Sequence, residues 1–388
     1  MRFFSGIIGS SPSTEWIFRR MTSTQTARRI RIAYFLGTHE DWGGASRATL
    51  NFVRTIDRTR FEPIVVLTQE GKLSATLRDE HIETLVWGIH DSRPNLPAYA
   101  LDVLRAWRML KAHEISLIHL NYGAIGWKPA EILAARFAGI PVINHFHTGV
   151  RTPSSFLRHT AAAIGVSRYV TDGLESWGVP KHVVHNVSDL GRFSHGRDIR
   201  AEFGLDRSHV VIMLAGQMIR AKGIELFIEA ARRVRGEHVR FLLAGPIRDT
   251  KGAYTEAEVH SLCGADPRVR YIGYRSDAEN LYATADVMVM PSQWEEPCAM
   301  ILFESAAAGK PVIASATGGT PEILQHDRTG YLFERTDLDA LVNHMQHLVD
   351  DEQERRRLGN EARELALSTF SKAPIEKMQS LYAALCHV

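Results

Sequence analysis

The sequence predicts an α/β protein made of two Rossmann-like, doubly wound parallel-sheet domains that face a central cleft. Three observations predict it. Short apolar runs alternate with helical patterns along the chain, glycine or polar loops punctuate them, and the series restarts after residue 189. At 388 residues the chain is long for one core and suits two α/β domains of ordinary size.

The first strand is expected over residues 31–36, ending at Gly37. A polar, glycine-bearing loop (38–44) then leads into a helical pattern over 45–53. Strands follow at 63–67, 115–120, 141–146 and 163–166, with helical stretches such as 98–112 and 129–138 between them. In the second half, strands are expected at 210–215, 239–244, 269–272, 287–290 and 311–314, with a helix over 224–235 after the first. The expected division is an extension over 1–29, a first domain over 30–188, a second over 189–371, and a final helix within 372–388 that packs back on the first domain. The extension carries Phe3, Phe4, Ile7 and Ile8, then Arg19, Arg20, Arg28 and Arg29. Its apolar patch is too short and interrupted for a signal-peptide core, so it reads as a disordered arm, or as sequence preceding a true start at Met21.

Composition narrows the function classes. Hydrophobic residues make up 45% and charged residues 23%, and the net charge of +2 gives no argument for nucleic acid. The three cysteines, Cys263, Cys298 and Cys386, are widely spaced, which excludes a disulfide framework or a cysteine-built zinc site and suits a reducing cytoplasm. No run approaches the ~20 apolar residues of a membrane span.

In an open parallel sheet, ligands bind beyond the carboxyl ends of the strands at a topological switch point, so the loops after the strands carry the candidates. One such segment (291–304) follows a buried strand and runs into a helix. It places Glu296 in the loop, Glu304 two turns on, and the free N–H groups of Ala299, Met300 and Ile301 at the cleft, an anion site. Two glutamates eight apart are also common on a surface helix. The loop 216–223 frees its backbone with Gly216 and Gly223 and brings Lys222 to a helix start, which suits a diphosphate or simply a solvated turn. The loop 317–322 frees its backbone with Gly318 and Gly319 and reads as a third edge segment or a tight strand-to-helix connection. His145 and His147 share a strand face, but no third metal ligand accompanies them; His147 reads as a cleft residue and His145 as structural. His119 and Asn121 end a strand at the cleft edge. Asp337 and Asp339 read as helix-start acids rather than a metal motif, and Cys298 as a small packed residue.

The order of these motifs resembles the GT-B glycosyltransferases, in particular the retaining family 4 group. The resemblance runs from Arg31 to the C-terminus. It is strongest over 281–333, where Ala285-Asp286, Pro291-Ser292, Glu296 with Glu304, the run 307–314, Gly318 to Glu322, and Thr329-Gly330-Tyr331 fall in the family's order. Gly43-Gly44 resembles the family's loop facing donor phosphate and acceptor, and His147 its cleft histidine. Asn186-Val187-Ser188-Asp189 resembles its interdomain linker without the usual glycine. Gln217 stands where the family carries a diphosphate-binding arginine, with Arg220 as the nearest substitute.

The resemblance implies a nucleotide-sugar donor, UDP- or GDP-linked, on the second domain and a glycan, lipid-linked or polysaccharide-precursor acceptor on the first. The catalytic group it implies is Glu296, His147 and Lys222, with Glu296 on the sugar hydroxyls, Glu304 on the ribose, and Lys222, Arg220 and the helix N–H groups on the departing diphosphate. It implies retention of anomeric configuration, no metal and no cofactor beyond the co-substrate. Carboxylates straddling a scissile bond, as in glycosidases, are not implied. A cytoplasmic enzyme at the inner membrane face is expected, with Arg151, Arg158 and Arg168 as basic residues for peripheral contact. The rival readings are a catalytically silent nucleotide-sugar-binding subunit, favoured by Gln217, and a sugar-nucleotide epimerase.

Overall fold

The computed structural model describes residues 29–37, 43–87, 95–121, 130–149, 158–174, 178–264 and 266–387. Residues 1–28 of the expected extension, most of the loop after the first strand, and Arg151 lie outside the described residues.

The first half runs β1 (Ile30–Phe35), α1 (Gly44–Thr55), β2 (Phe61–Leu67), α2 (Lys72–Asp79), β3 (Glu83–Val86), α3 (Leu96–Ala112), β4 (Leu117–Leu120), α4 (Ala130–Ala138), β5 (Val142–Phe146), β6 (Ala162–Gly165), α5 (Arg168–Asp172) and β7 (Lys181–Val183). Its seven strands are all parallel, in the order β3-β2-β1-β4-β5-β6-β7. The second half runs α6 (Leu190–Ser194), β8 (Val210–Ala215), α7 (Ile224–Arg233), β9 (Val239–Ala244), α8 (Glu256–Cys263), β10 (Val269–Tyr271), α9 (Ala278–Thr284), β11 (Val287–Met290), α10 (Met300–Ala307), β12 (Val312–Ser315), α11 (Thr320–Ile323), β13 (Gly330–Phe333), α12 (Leu338–Asp350), α13 (Glu352–Leu365) and α14 (Ala373–Leu385). Its six parallel strands order as β10-β9-β8-β11-β12-β13. Both orders reverse direction beside the first strand of the sheet, so each sheet has one switch point.

The strands at the sheet centres are apolar runs because crossover helices cover both of their faces. Val211, Ile212, Met213, Val287, Met288 and Val289 are all fully buried. One apolar cluster joins the two halves: Phe146, Val166 and Val170 of the first pack with Met290, Cys298, Leu302 and Phe370 of the second. The chain crosses between halves twice. After the second crossing α14 lies on the first sheet, with Met378 and Tyr382 in the same cluster as Ile32, Tyr34 and Phe61.

Three strands depart from the sequence expectation. β3, β7 and β13 were not expected as strands, and each forms an edge of its sheet. An edge strand has one neighbour and a half-solvated face, so its sequence lacks the continuous apolar run. Asp337 caps α12, accepting from the Ala340 N–H at 2.9 Å, and Asp339 pairs with Arg233.

Candidate active site

The switch point of the second sheet lies between β8 and β11. The two loops leaving these strands meet backbone to backbone. Gly223 adopts a φ of 71°, and a Cβ at that position would run into the carbonyl of Pro291; only glycine allows this approach without strain. The Gln293 N–H donates to the Ala221 carbonyl at 2.8 Å, adding a second tie.

This contact delivers Lys222 to Glu296. Lys222 Nζ lies 2.5 Å from Glu296 Oε1. The same oxygen accepts from Ser292 Oγ at 2.6 Å and from Trp294 Nε1 at 2.8 Å. The ammonium also sits 5.6 Å from the centroid of the Trp294 ring. Glu296 is only 3% exposed, so three donors on one oxygen compensate its desolvation. From behind, the Gly319 N–H binds the Glu296 carbonyl at 2.7 Å, and Gly318 at φ 53° packs its Cα against the Glu296 backbone.

Next along the chain, α10 begins after Ala299 with no side-chain cap and no acidic residue in its first turn. Ala299, Met300 and Ile301 line the cleft, and the amides of this turn are a ready partner for an anion. One turn on, Glu304 Oε2 accepts from the Tyr282 hydroxyl at 2.7 Å. Burial pushes the Glu304 carboxyl above its ordinary value, opposed by the Tyr282 bond and by Arg47 and Arg192.

The facing wall comes from the first half: Gly43 and Gly44 at the head of α1, Arg47, His147 beyond β5, and Asn186 in the crossing. Burial holds the His147 imidazole down to about 4, so the ring is neutral near pH 7. Its Nε2 lies 3.2 Å from Asn121 Oδ1, which also accepts from Thr49 Oγ1 at 2.8 Å. The Asn186 side chain also bonds the ring and opposes the effect of burial, and Nδ1 is itself buried. Behind His147 the rings continue inward. The His145 ring lies tilted against it at 4.3 Å, His119 Nε2 approaches His145 Nδ1 at 3.1 Å, and Tyr382 of α14 reaches His119 Nδ1 at 2.6 Å.

The cleft between these walls has a volume of about 670 Å³, within the range of small-ligand sites. It brings together Gly43, Gly44, His147, Gly216, Lys222, Glu296, Ala299, Met300, Ile301 and Glu304. Arg220 is the exception and corrects the expectation for that residue. Its guanidinium bonds Glu225 at 2.8 Å and covers the Tyr254 ring at 4.6 Å, so it is held outside the cleft. Gln217 lines the cleft in its place. Arg248, in the loop after β9, and Arg47 also line it and were missed in the sequence. The switch-point rule applied to β9 points to the first of them. Arg275 reaches the cleft with its charge already paired to Asp277 and Glu202. Burial pushes the Cys298 thiol up to about 12, which leaves it an inert packed group. Among the described residues no group of three His, Cys, Asp or Glu side chains could hold a metal ion.

Two family models meet the two halves of this cleft. One described as glycosyl transferases group 1 matches residues 197–365, and one described as glycosyltransferase family 4 matches residues 42–192. The chain thus joins a glycosyltransferase family 4 half to a glycosyl transferases group 1 half. The crystal structure of a glycosyltransferase from Rickettsia africae ESF-5 superimposes on it with a TM-score of 0.82 at 18% identity, over 92% of this chain and 99% of that one. Anabaena HepE in complex with UDP does so with a TM-score of 0.77 at 22% identity, over 92% and 100%. These likenesses establish the GT-B fold. In sequence, N-acetyl-alpha-D-glucosaminyl L-malate synthase of Bacillus anthracis is 27% identical over 188 residues, 48% of each chain. The chain thus spans about half the length of that relative.

Proposed function

We propose that this protein transfers a sugar from a nucleoside-diphosphate sugar to a hydroxyl of a glycan or lipid-linked acceptor, with retention of anomeric configuration and without a metal. The observation that carries the reading is the Lys222–Glu296 pair, set beside the uncapped start of α10 with Glu304 one turn further along. This is a cation, a set of free amides and two carboxylates on one cleft wall. They match in turn the diphosphate, the transferred sugar and the ribose. The solved structure of Anabaena HepE with UDP-glucose supports a donor of the same class.

The chemistry follows from charge. As the bond between the sugar's anomeric carbon and the diphosphate oxygen breaks, negative charge grows on the diphosphate and positive charge on the sugar ring. Lys222, Arg248 and the amides of α10 stabilise the first. Glu296 accepts from sugar hydroxyls once Lys222 turns to the diphosphate, and it faces the developing ring charge. The acceptor oxygen bonds to the anomeric carbon on the face the diphosphate leaves, and its proton passes to the departing diphosphate oxygen. Neutral His147, beside Asn186, lines the first-half wall of the cleft that faces the donor. Gly43 and Gly44 let backbone amides approach the phosphates.

Peripheral contact with an anionic membrane belongs to the same reading. α3 exposes Leu101, Leu104 and Trp107 among Arg105, Arg108 and Lys111, which are also exposed. Among the described residues no helix is long and apolar enough to cross a membrane.

A thermal-shift screen of UDP, GDP and ADP with their sugars tests the donor class, since a ligand of the folded state raises the melting temperature by mass action. At least one diphosphate should raise it, and replacing Glu304 by Ala should remove the shift. No shift with any of them would overturn the reading. A shift with no transfer in any acceptor screen would favour the silent binding subunit, and conversion of the donor to its epimer would favour the epimerase.

A further inference from the structure

The turn after β12 holds a carboxylate that leaves its own half of the molecule. Glu322, on α11, accepts from the Arg168 N–H through Oε2 at 2.8 Å and from the Tyr169 N–H through Oε1 at 3.0 Å. These are the first two residues of α5, which packs on the other sheet. The third amide of that turn, Val170, donates to Ser167 Oγ at 3.3 Å. All three of these N-terminal donors of α5 are therefore satisfied, two of them by a residue more than 150 positions away. Bonds from amides to an ionised carboxylate are among the stronger hydrogen bonds, and a helix start favours the negative charge.

The surroundings say what this contact does. Gly319 presses against Ser167 so closely that a Cβ on it would lie 2.7 Å from the serine Cβ, and the same Gly319 holds the Glu296 carbonyl. On the other side, His185 Nε2 lies 3.5 Å from Glu322 Oε2, and the His185 ring meets Phe370 edge-on at 5.7 Å. His185 belongs to the first crossing between the halves, and Phe370 precedes the second. Glu322 thus sits where both crossings pass, bonded to one cleft wall and three residues from the glycine that holds Glu296 on the other.

We infer that Glu322 is a positioning residue that pins the two halves of the cleft together at their hinge and, through Gly319, registers Glu296 against the first-half wall. It contacts neither donor nor acceptor. The pin holds for any occupant of the cleft; only the diphosphate-binding and turnover arms of its test rest on the transferase reading.

The test compares Glu322→Ala and Glu322→Gln with the parent protein by amide hydrogen exchange, small-angle scattering, nucleoside-diphosphate binding and sugar transfer. In Glu322→Ala, exchange at Arg168 and Tyr169 should accelerate by about tenfold or more, since both lose a charge-assisted partner. The scattering should report a wider spread of interdomain separations. Diphosphate affinity, carried chiefly by Lys222, Arg248 and the start of α10 in the second half, should fall by no more than about threefold, while turnover falls by about tenfold. Glu322→Gln keeps one acceptor oxygen and should lie between the two; it decides the matter if the alanine variant does not fold. Unchanged exchange at both amides with unchanged scattering overturns the pin. So does a diphosphate affinity that falls as far as turnover, which would place Glu322 in the donor site. If the parent binds no diphosphate, the transferase reading fails, and the exchange and scattering results still decide the pin.

Discussion

Replacing Lys222 by Met removes one charge from the cleft and leaves its partner behind. Glu296 Oε1 now takes three donors, from Lys222 at 2.5 Å, Ser292 at 2.6 Å and Trp294 at 2.8 Å. In the variant it keeps two neutral ones while the carboxylate stays 3% exposed. Breaking a deeply buried pair costs about 3–5 kcal/mol. Here the lysine side chain is 26% exposed and two donors persist, so a cost of about 1–3 kcal/mol is expected. For halves of this size that lowers the melting temperature by roughly 2–4 °C per kcal/mol. Adding Glu296→Gln removes the stranded charge and should recover much of the loss, with a coupling of about 1–3 kcal/mol between the two positions. Turnover should not recover. The single variant should lose roughly 10²–10³ of it, because the cation facing the departing diphosphate is gone. The assay is a double-mutant cycle read by thermal unfolding and by diphosphate release. Strictly additive melting shifts would refute the coupling, and near-normal turnover in Lys222→Met would refute its role.

Three further outcomes follow from the geometry. Arg220→Ala should leave diphosphate affinity unchanged, because that side chain lies on Tyr254 and Glu225, whereas Arg248→Ala should weaken it; isothermal titration of both variants decides between them. Gly318→Ala forces a Cβ into the Glu296 backbone at a φ of 53°. It should cost about 1–3 kcal/mol of stability and lower turnover by about tenfold or more, while normal kinetics would show that the Glu296 loop tolerates the shift. The histidine column makes stability depend on pH. Burial holds His119 down to about 3 and His147 to about 4, with His145 also well below its ordinary value. The unfolded chain takes up protons near pH 6.5 that the folded chain refuses, so this stability is present above about pH 6.5 and is lost as pH falls toward 4. His119→Gln should flatten the slope of stability against pH between 7 and 5, and an unchanged slope would show that other groups set it.

Much of this architecture is legible in the sequence. Val210–Ala215, Val239–Ala244 and Val287–Met290 are strands at the bounds their apolar runs suggest, because central parallel strands are covered on both faces. Edge strands such as Glu83–Val86 and Gly330–Phe333 carry no such run and were not legible. At the site, Lys222 and Glu296 each stand out as loop residues after buried strands. Their direct contact spans 74 positions and depends on Gly223 meeting Pro291, which no local pattern encodes. Arg220 misleads in part for the same reason: Glu225 is only five residues on, but the Tyr254 ring under its guanidinium is brought in by the fold. Glu322 is the converse case, since its motif is visible in the chain but the helix it caps belongs to the other sheet.

The account turns on Glu296 acting in a cleft that transfers sugar from a nucleoside-diphosphate donor. The most direct measurement follows diphosphate release from UDP-, GDP- and ADP-sugars in the presence of a chelator, for the parent protein and for Glu296→Ala. The account predicts that the parent releases diphosphate from at least one donor, and that Glu296→Ala binds the same diphosphate but turns over about a hundredfold more slowly or less. Equal rates in the two proteins would contradict it.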